Sequence, residues 1–245
     1  MSGSSAPTLS AATYAEAIMA LANDVEREKL QRYFKTGPGE YGEGDQFLGV
    51  RMAQLFDLAK QHLELPPAEL DQLLLSPWHE IRAGALSVMD KQARRKRTPD
   101  TRRAELYELY LRRLDRINNW DLVDLAAIHV VGGYLRPRSR APLYDLARSS
   151  NMWARRTAIV ATAHFLRTDD DVTDTLAIAE LLLHDPEDLV HKATGGWLRE
   201  ASRRDPVRHR AFLDKHAPRM PRVMLRYATE YLPEEARLHY RKRKA

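Results

Sequence analysis

Apolar residues recur every three to four positions along most of this chain. Leu55, Leu58 and Ala59 follow that spacing, and the segment 159–166 (IVATAHFL) repeats it further along. This is the period of a helix with one apolar face. Runs in which apolar and polar residues alternate between turn dipeptides are missing from the sequence. The pattern therefore predicts an all-α protein with little or no sheet.

One segment cannot be helical. Residues 35–45 (KTGPGEYGEGD) contain four glycines and one proline, which together cannot sustain a helix. We expect either a surface loop or a loop that covers a ligand.

The predicted helices show an internal repeat. Several begin with a small or polar residue and carry a charged residue six positions later. The pairs are Ser76 and Arg82, Asn118 and Asp124, Ser150 and Arg156, Asp185 and His191, with Met220 and Arg226 continuing the register. Their starts lie 42, 32, 35 and 35 residues apart. A period of about 35 to 45 residues is typical of HEAT-like solenoids, in which helix pairs stack into a right-handed superhelix with one concave surface.

Length and composition limit the possible classes of protein. The 245 residues, 44% of them hydrophobic, can bury a substantial core, and we expect a single HEAT-like domain over 1–245. Within it, we expect a flexible N-terminal segment at 1–9 and a basic tail at 241–245. No apolar run is long enough to span a membrane, and residues 1–7 lack the layout of a signal peptide. A cytoplasmic, nucleoid-associated protein is expected.

The numbers and spacing of cysteine and histidine exclude several kinds of catalytic and metal site. The chain has no cysteine, which excludes disulfides, cysteine-ligated zinc and a thiol nucleophile. Its nine histidines show no HxxxH or HExxH spacing. The glycine-rich segment matches no phosphate-binding loop, and a serine hydrolase elbow is absent. We expect neither a metal nor a cofactor.

Positive charge is concentrated in two regions. From Arg203 onward there are 13 Lys/Arg against 5 Asp/Glu, whereas residues 1–202 carry 26 against 29. A second basic cluster lies within 91–103. Such clusters suit contact with a phosphate backbone. The alternative is a solvated helix face followed by a charged tail.

The sequence NNWDLVD (118–124) is the best candidate for chemistry. Trp120 and Asp124 are four residues apart and therefore share one helix face. A carboxylate there could stabilise positive charge at a sugar C1′, or orient and deprotonate water, while the Trp face attracts a cationic base. Arg156 could bind a phosphate or orient Asp124. Alternatively, Trp120 is a core aromatic residue and the acids only stabilise a helix start, a role that Asp121 fits better than Asp124.

Further residues are candidates for DNA contact. Arg82, Arg156, His191 and Arg226 share the predicted repeat position, and would form either a basic groove or an inter-repeat charge ladder that only fixes stacking. Tyr33 precedes the glycine-rich segment, where it could meet a sugar-phosphate strand or simply pack. Trp197 follows Gly195 and Gly196, a pair that is costly in a helix and could reflect close approach of a backbone or a ligand.

Six blocks resemble the AlkD-type DNA alkylation repair glycosylases. They are YFKTGPGEYGEGDQFLGVR (33–51), SPWHEIRAGAL (76–86), NNWDLVDLAA (118–127), NMWARRTAIV (151–160), DLVHKATGGWLRE (188–200) and MPRVMLRYATE (220–230). The resemblance covers about residues 26 to 240. It implies a HEAT-like solenoid that holds duplex DNA in a basic groove and hydrolyses the N-glycosidic bond of cationic N3- or N7-alkylated purines.

The resemblance assigns roles residue by residue. The family's catalytic Asp falls on Asp124, its helix-start Trp on Trp120 and its Arg on Arg156. We also expect His191 and Lys192 to contact DNA. The sequence departs from the family at Gly196, where a second Trp is usual, while Trp197 stands one residue later. That shift rotates an indole by about 100° on a regular helix. Either a local distortion of the helix restores the position of the indole, or this wall of the site is open, which would weaken the grip on the lesion strand and make room for a bulky adduct.

Two other functions stay open. A non-catalytic relative could bind damaged or branched DNA, and a HEAT scaffold could bind a protein partner with its charges purely structural. We expect a monomer, because such an array can bind DNA alone.

Overall fold

The computed structural model describes residues 9–242, and every regular element in that range is helical. Gln46 and Trp78 form an isolated bridge, but no strand forms among these residues. The predicted all-α fold is confirmed. Residues 1–8 of the predicted flexible segment and 243–245 of the predicted tail lie outside the described part. Within 9–242, no helix combines the length and apolar character needed to cross a bilayer.

The helices group into two compact units, Met1–Ala126 and Ala127–Ala245. The first contains α1 (Ala11–Met19), α2 (Asp24–Tyr33), α3 (Met52–Gln61), α4 (Pro67–Leu74), α5 (His79–Arg94), α6 (Asp100–Arg112) and α7 (Trp120–Ala126). The second begins with a π-helix (Ala127–Gly132) and continues with α8 (Gly133–Leu135), α9 (Ala141–Ala147), α10 (Met152–Ala161), α11 (Ala163–Thr168), α12 (Thr173–Leu181), α13 (Asp188–Arg204), α14 (Pro206–His216), a 3₁₀ turn (Ala217–Arg219), α15 (Arg222–Ala228) and α16 (Glu234–Lys242).

One long helix forms the centre of each unit. In the first unit, α5 packs against α3, α4, α6 and α7, and 12 of its 16 residues are buried. In the second unit, α13 packs against α10, α12, α14 and α15. Because α5 is enclosed by its neighbours, its polar residues must find partners inside the protein.

Two of the repeated helices, α7 and α10, begin at an asparagine cap. The side chain of Asn119 accepts a hydrogen bond from the backbone N–H of Trp120 (2.8 Å), and that of Asn151 accepts from Trp153 (2.9 Å). Each cap satisfies a backbone donor that has no partner within its own helix. The cap of α7 is therefore Asn119 rather than the predicted Asn118.

Backbone hydrogen bonds fix the register of the repeated helices. The first bond from residue i to residue i−4 is donated by Arg82, Val123, Arg155, His191 and Leu225 in α5, α7, α10, α13 and α15. Asp124, Arg156 and Arg226 each follow the first donor of their helix by one residue, as predicted. Lys192 occupies the same position in α13. Arg82 and His191 lie one residue earlier, so their predicted alignment is wrong. The reason is that the caps of α5 and α13 follow Ser76 and Asp185 by two residues, not by one.

The residue that donates the first backbone bond of its helix has the same structural role in three helices. Arg82, Arg155 and His191 each bond to the carbonyl of the residue six positions before them, at 3.0, 3.0 and 2.5 Å. These bonds tie the connection that precedes each helix to its first turn. The spacing of charges in the sequence does not by itself predict this bond.

Candidate active site

Helix α7 carries two of the three predicted catalytic residues. Trp120 opens the helix and is half-buried, and Asp124 lies one turn later with an exposed side chain. Leu122, Val123 and Ala126 form the buried face of the same helix. The apolar face therefore anchors α7 while Asp124 stays accessible to solvent.

Aromatic side chains surround Trp120. Its indole stacks on Phe34 with centroids 5.5 Å apart and planes at 26°, and it meets Tyr33 edge-on at 6.0 Å. Phe34 is buried, whereas Tyr33 is 63% exposed. Trp120 therefore belongs neither to a closed core nor to an open surface. It forms part of an aromatic wall that ends in Tyr33 at the surface.

A buried histidine lies beneath this wall. The Nδ1 of His79 is 2.7 Å from Asp45 Oδ2, and its Nε2 is 2.8 Å from Asp121 Oδ2. The His79 side chain is 2% exposed. Burial lowers the pKa of His79, but the charges and hydrogen bonds of Asp121 and Asp45 outweigh that effect and raise it to about 9. Asp121, interpreted from sequence as a helix-start carboxylate, therefore bonds to His79, the first residue of α5.

Arg82 belongs to the same buried network. Its guanidinium donates to Asp45 Oδ1 at 2.6 Å and to Asn118 Oδ1 at 3.3 Å, in addition to the carbonyls of Ser76 and Pro77. Since the residue is 2% exposed, the predicted contact with DNA does not fit its position. Burial on α5, which sequence periodicity did not reveal, gives Arg82 a structural role.

Glu80 anchors the segment that follows the glycine-rich loop. Its carboxylate accepts hydrogen bonds from the backbone N–H groups of Leu48, Gly49 and Val50, at 2.9, 2.8 and 3.2 Å. Gly49 adopts φ +85°, and a Cβ there would lie 2.0 Å from the carbonyl oxygen of Asn23. Only glycine fits this close approach.

In the second unit, Arg156 and its neighbour Arg155 differ in their surroundings. Arg156 is 7% exposed and donates to the carbonyl of Leu189 at 2.6 Å. Arg155 forms two hydrogen bonds to the carboxylate of Asp185, at 2.5 and 3.1 Å. Both arginines thus connect α10 to the segment that opens α13.

The remaining predicted DNA contacts in the second unit vary in exposure. His191 is half-buried and bonded to a carbonyl, while Lys192 is 41% exposed and pairs with Asp188 at 2.6 Å. Arg226 is exposed and lies over the ring of Tyr227, 5.1 Å from its centroid. A cavity of about 310 Å³ opens beside it, lined by Arg226, Tyr227, Glu230, Arg237 and Arg241. Lys192 and Arg226 are therefore the accessible cations of this set.

Comparison with known proteins identifies the family. The sequence model of the DNA alkylation repair enzymes matches residues 15–232. The chain belongs to this family. A solved structure described as a predicted DNA alkylation repair enzyme from Enterococcus faecalis shares its fold with a TM-score of 0.66. The two sequences are 17% identical over 87% of this chain and 97% of that chain. No curated protein sequence matches the chain.

Gly195 and Gly196 differ in their surroundings. A Cβ on Gly195 would lie 2.5 Å from the carbonyl oxygen of Met224, so the close packing of α13 on α15 requires glycine. A Cβ on Gly196 would meet no atom within 4 Å. Gly196 lies one turn after Lys192 on α13, and packing does not explain its identity. A side chain at position 196 would therefore enter open space.

Trp197 does not replace the missing side chain. It packs against the buried cluster of Leu166, Val172 and Ala201, and the guanidinium of Arg167 lies 5.2 Å from its ring centroid. Because α13 is continuous from Asp188 to Arg204, no distortion of the helix turns Trp197 toward position 196. Trp197 therefore belongs to the packing of the second unit.

Several residues of the network were not singled out from sequence. His79 bonds to Asp45 and stacks on Phe47, and Glu80 anchors the segment after the glycine-rich loop. The only hint in the sequence is the polar pair His79–Glu80 ahead of the apolar stretch of α5. No spacing rule relates residues that are more than 30 positions apart. Among the described residues, no group of His, Asp or Glu is arranged to hold a metal ion.

Proposed function

We propose that this protein is a DNA glycosylase for cationic N3- and N7-alkylated purines in duplex DNA, and that it leaves an abasic site. The observation that carries the proposal is an exposed carboxylate, Asp124, one helical turn from Trp120 in an aromatic wall. Membership of the DNA alkylation repair family supports a role in repair of alkylation damage.

The proposed reaction breaks one bond and forms one. The bond between C1′ and the purine nitrogen breaks, and its electron pair neutralises the cationic base as it leaves. Asp124 stabilises the positive charge that develops at C1′ and orients the water whose oxygen bonds to C1′. The proton lost by that water passes to Asp124 or to solvent. The reaction needs no cofactor, because the leaving group is already cationic.

The other residues bind and orient the substrate. The face of Trp120 attracts the cationic base, and Tyr33 extends this surface toward solvent. Arg156 is 7% exposed and donates to the carbonyl of Leu189, so its predicted contact with the substrate does not fit its position, as for Arg82. Lys192 and Arg226 would bind backbone phosphates along a basic groove, which their exposure and shared helix position support. His191 and Trp197 are half-buried, so we expect smaller contributions from them.

Position 196 supports a second candidate function. The open space at Gly196 would loosen the hold on a small methylated base, and a protein that binds damaged or branched DNA without chemistry would tolerate it. The same space would admit a bulky adduct. The variant Gly196→Trp separates these cases, because it should reduce excision of a bulky lesion if the space is used. Unchanged excision would remove the bulky-adduct hypothesis.

The decisive experiment is release of free 7-methylguanine and 3-methyladenine from methylated duplex DNA. Wild type should release both bases, and Asp124→Asn should reduce release at least 100-fold while duplex binding is kept. The matched control is Asp115→Asn, an exposed carboxylate in the turn before α7, which should leave release unchanged. Binding without release by wild type would instead favour the non-catalytic function.

A further inference from the structure

His79 lies between two carboxylates that it can satisfy only when protonated. Asp45 and Asp121 approach its two ring nitrogens at 2.7 and 2.8 Å. An ionised carboxylate can only accept hydrogen bonds, and a neutral imidazole has a single N–H. Both contacts are hydrogen bonds only if both nitrogens carry a proton. With Asp45 and Asp121 both ionised, the geometry requires an imidazolium.

This imidazolium joins three separate segments. Asp45 ends the glycine-rich loop, His79 opens α5, and Asp121 belongs to the first turn of α7. Asp45 is also held by Arg82, at 2.6 Å. The second oxygen of Asp121, Oδ1, is buried without a hydrogen-bond partner among the described residues. The hydrogen bond from His79 is thus the bond that ties Asp121 to α5.

The aromatic wall rests on the same ring. Phe47 stacks on His79 with centroids 4.5 Å apart, and Phe34 lies 5.0 Å from it. Phe34 in turn stacks on Trp120. A cation next to aromatic faces is favourable, and more so away from water. His79 therefore contacts the surroundings of Trp120 through Asp121 on one side and through Phe34 on the other.

We propose that His79 is a positioning residue of the candidate active site, an imidazolium that fixes the first turn of α7 and thereby Trp120 and Asp124. The proposal rests on the proposed glycosylase function. His79 does not touch the substrate, since its side chain is 2% exposed. Loss of its proton would leave a carboxylate facing a lone pair, and the start of α7 would lose its tie to α5.

The charged groups that bond to His79 or Asp45, or that adjoin His79 on α5, come from the three segments that His79 joins. They are Asp45 from the loop, Glu80 and Arg82 from α5, and Asp121 from α7. Glu80 is occupied by three backbone N–H groups. The pKa of His79 is about 9, so the tie is complete at neutral pH and is lost under alkaline conditions. Base release should follow this titration.

The test compares wild type with Asp121→Asn and follows two quantities across pH 7 to 10. One is the protonation of both His79 nitrogens, from side-chain ¹⁵N chemical shifts of the free protein. The other is base release, corrected for spontaneous loss. In wild type, the alkaline fall in release should coincide with deprotonation of His79. The amide that replaces the carboxylate at position 121 carries no charge, so both transitions should move down by about one pH unit or more.

The matched control is Asp71→Asn. Asp71 on α4 bonds to Arg113 at 2.5 Å and has no hydrogen bond to a histidine. This variant removes a bonded carboxylate from the same unit, and it should leave both transitions in place. A neutral His79 at pH 7.5 in wild type, or an alkaline fall that Asp121→Asn does not move, would overturn the proposal.

A third measurement separates this proposal from the proposed function. Amide hydrogen exchange of α7 in the free protein needs no DNA, and at pH 7.5 Asp121→Asn should speed exchange of the α7 amides at least tenfold while α13 is unchanged. Unchanged exchange in α7 would overturn the positioning role. A wild type that releases no base at any pH but shows both the ¹⁵N titration and the exchange difference would instead reject glycosylase activity alone.

Discussion

Gly195 on α13 lies directly against the backbone of Met224 on α15. A Cβ at position 195 would be 2.5 Å from the carbonyl oxygen of Met224, closer than any side-chain carbon can stand. We expect Gly195→Ala to push the two helices apart and lower the free energy of unfolding by about 1–3 kcal/mol. Urea denaturation of the purified variant measures this change.

The neighbouring glycine supplies the control. Gly196 has open space where a Cβ would point, so Gly196→Ala should gain helix propensity and raise the free energy of unfolding by up to about 1 kcal/mol. The two adjacent substitutions should therefore have opposite signs. Equal destabilisation by both would show that the close contact at Met224 is not the cause.

Removal of the Glu80 carboxylate should destabilise the protein strongly. Glu80→Ala leaves three buried backbone N–H groups without acceptors, at Leu48, Gly49 and Val50, and should lower the free energy of unfolding by about 3 kcal/mol or more. Limited proteolysis should also cut the glycine-rich loop faster. The control is Glu43→Ala in that loop, where an exposed carboxylate accepts one backbone bond, and its effect should stay within about 0.5 kcal/mol.

His79 makes stability depend on pH in a defined direction. Its folded pKa, about 9, lies above the ordinary value of 6.5, so its contribution is complete below pH 6.5 and is lost as pH rises through 9. The difference between these two pKa values corresponds to about 3 kcal/mol of stability. The stability difference between wild type and His79→Gln should be largest near pH 6.5 and shrink toward pH 10. A difference that stays constant over this range would contradict the assignment.

Salt dependence distinguishes the two arginines that the sequence had grouped together. Arg226 is exposed, so Arg226→Gln should reduce the slope of log binding constant against log salt by about 0.9 for undamaged duplex DNA. Arg82 is buried against Asp45, so Arg82→Gln should leave that slope unchanged and lower the free energy of unfolding by about 3 kcal/mol. If Arg82→Gln reduced this slope as well, the result would support the predicted contact of Arg82 with DNA.

The sequence alone was sufficient for the helical class and for the pairing of Trp120 with Asp124. Both follow from local spacing, because the 3.6-residue period places residues four apart on one face. The cap Asn151 also follows from a side chain that bonds only two residues away, whereas the cap of α7 is Asn119 and not the predicted Asn118. The family blocks were recognisable for the same reason, since each is continuous in the chain.

Tertiary structure decided the environment of those residues. The bonds of His79 to Asp45 and Asp121 join positions 34 and 42 residues apart, and no local pattern encodes such contacts. Burial of Arg82 depends on how α5 packs among its neighbours, so a charge that looked like part of a groove became internal. Sequence spacing fixes which face of a helix a residue occupies, whereas the packing of other segments decides what that face meets.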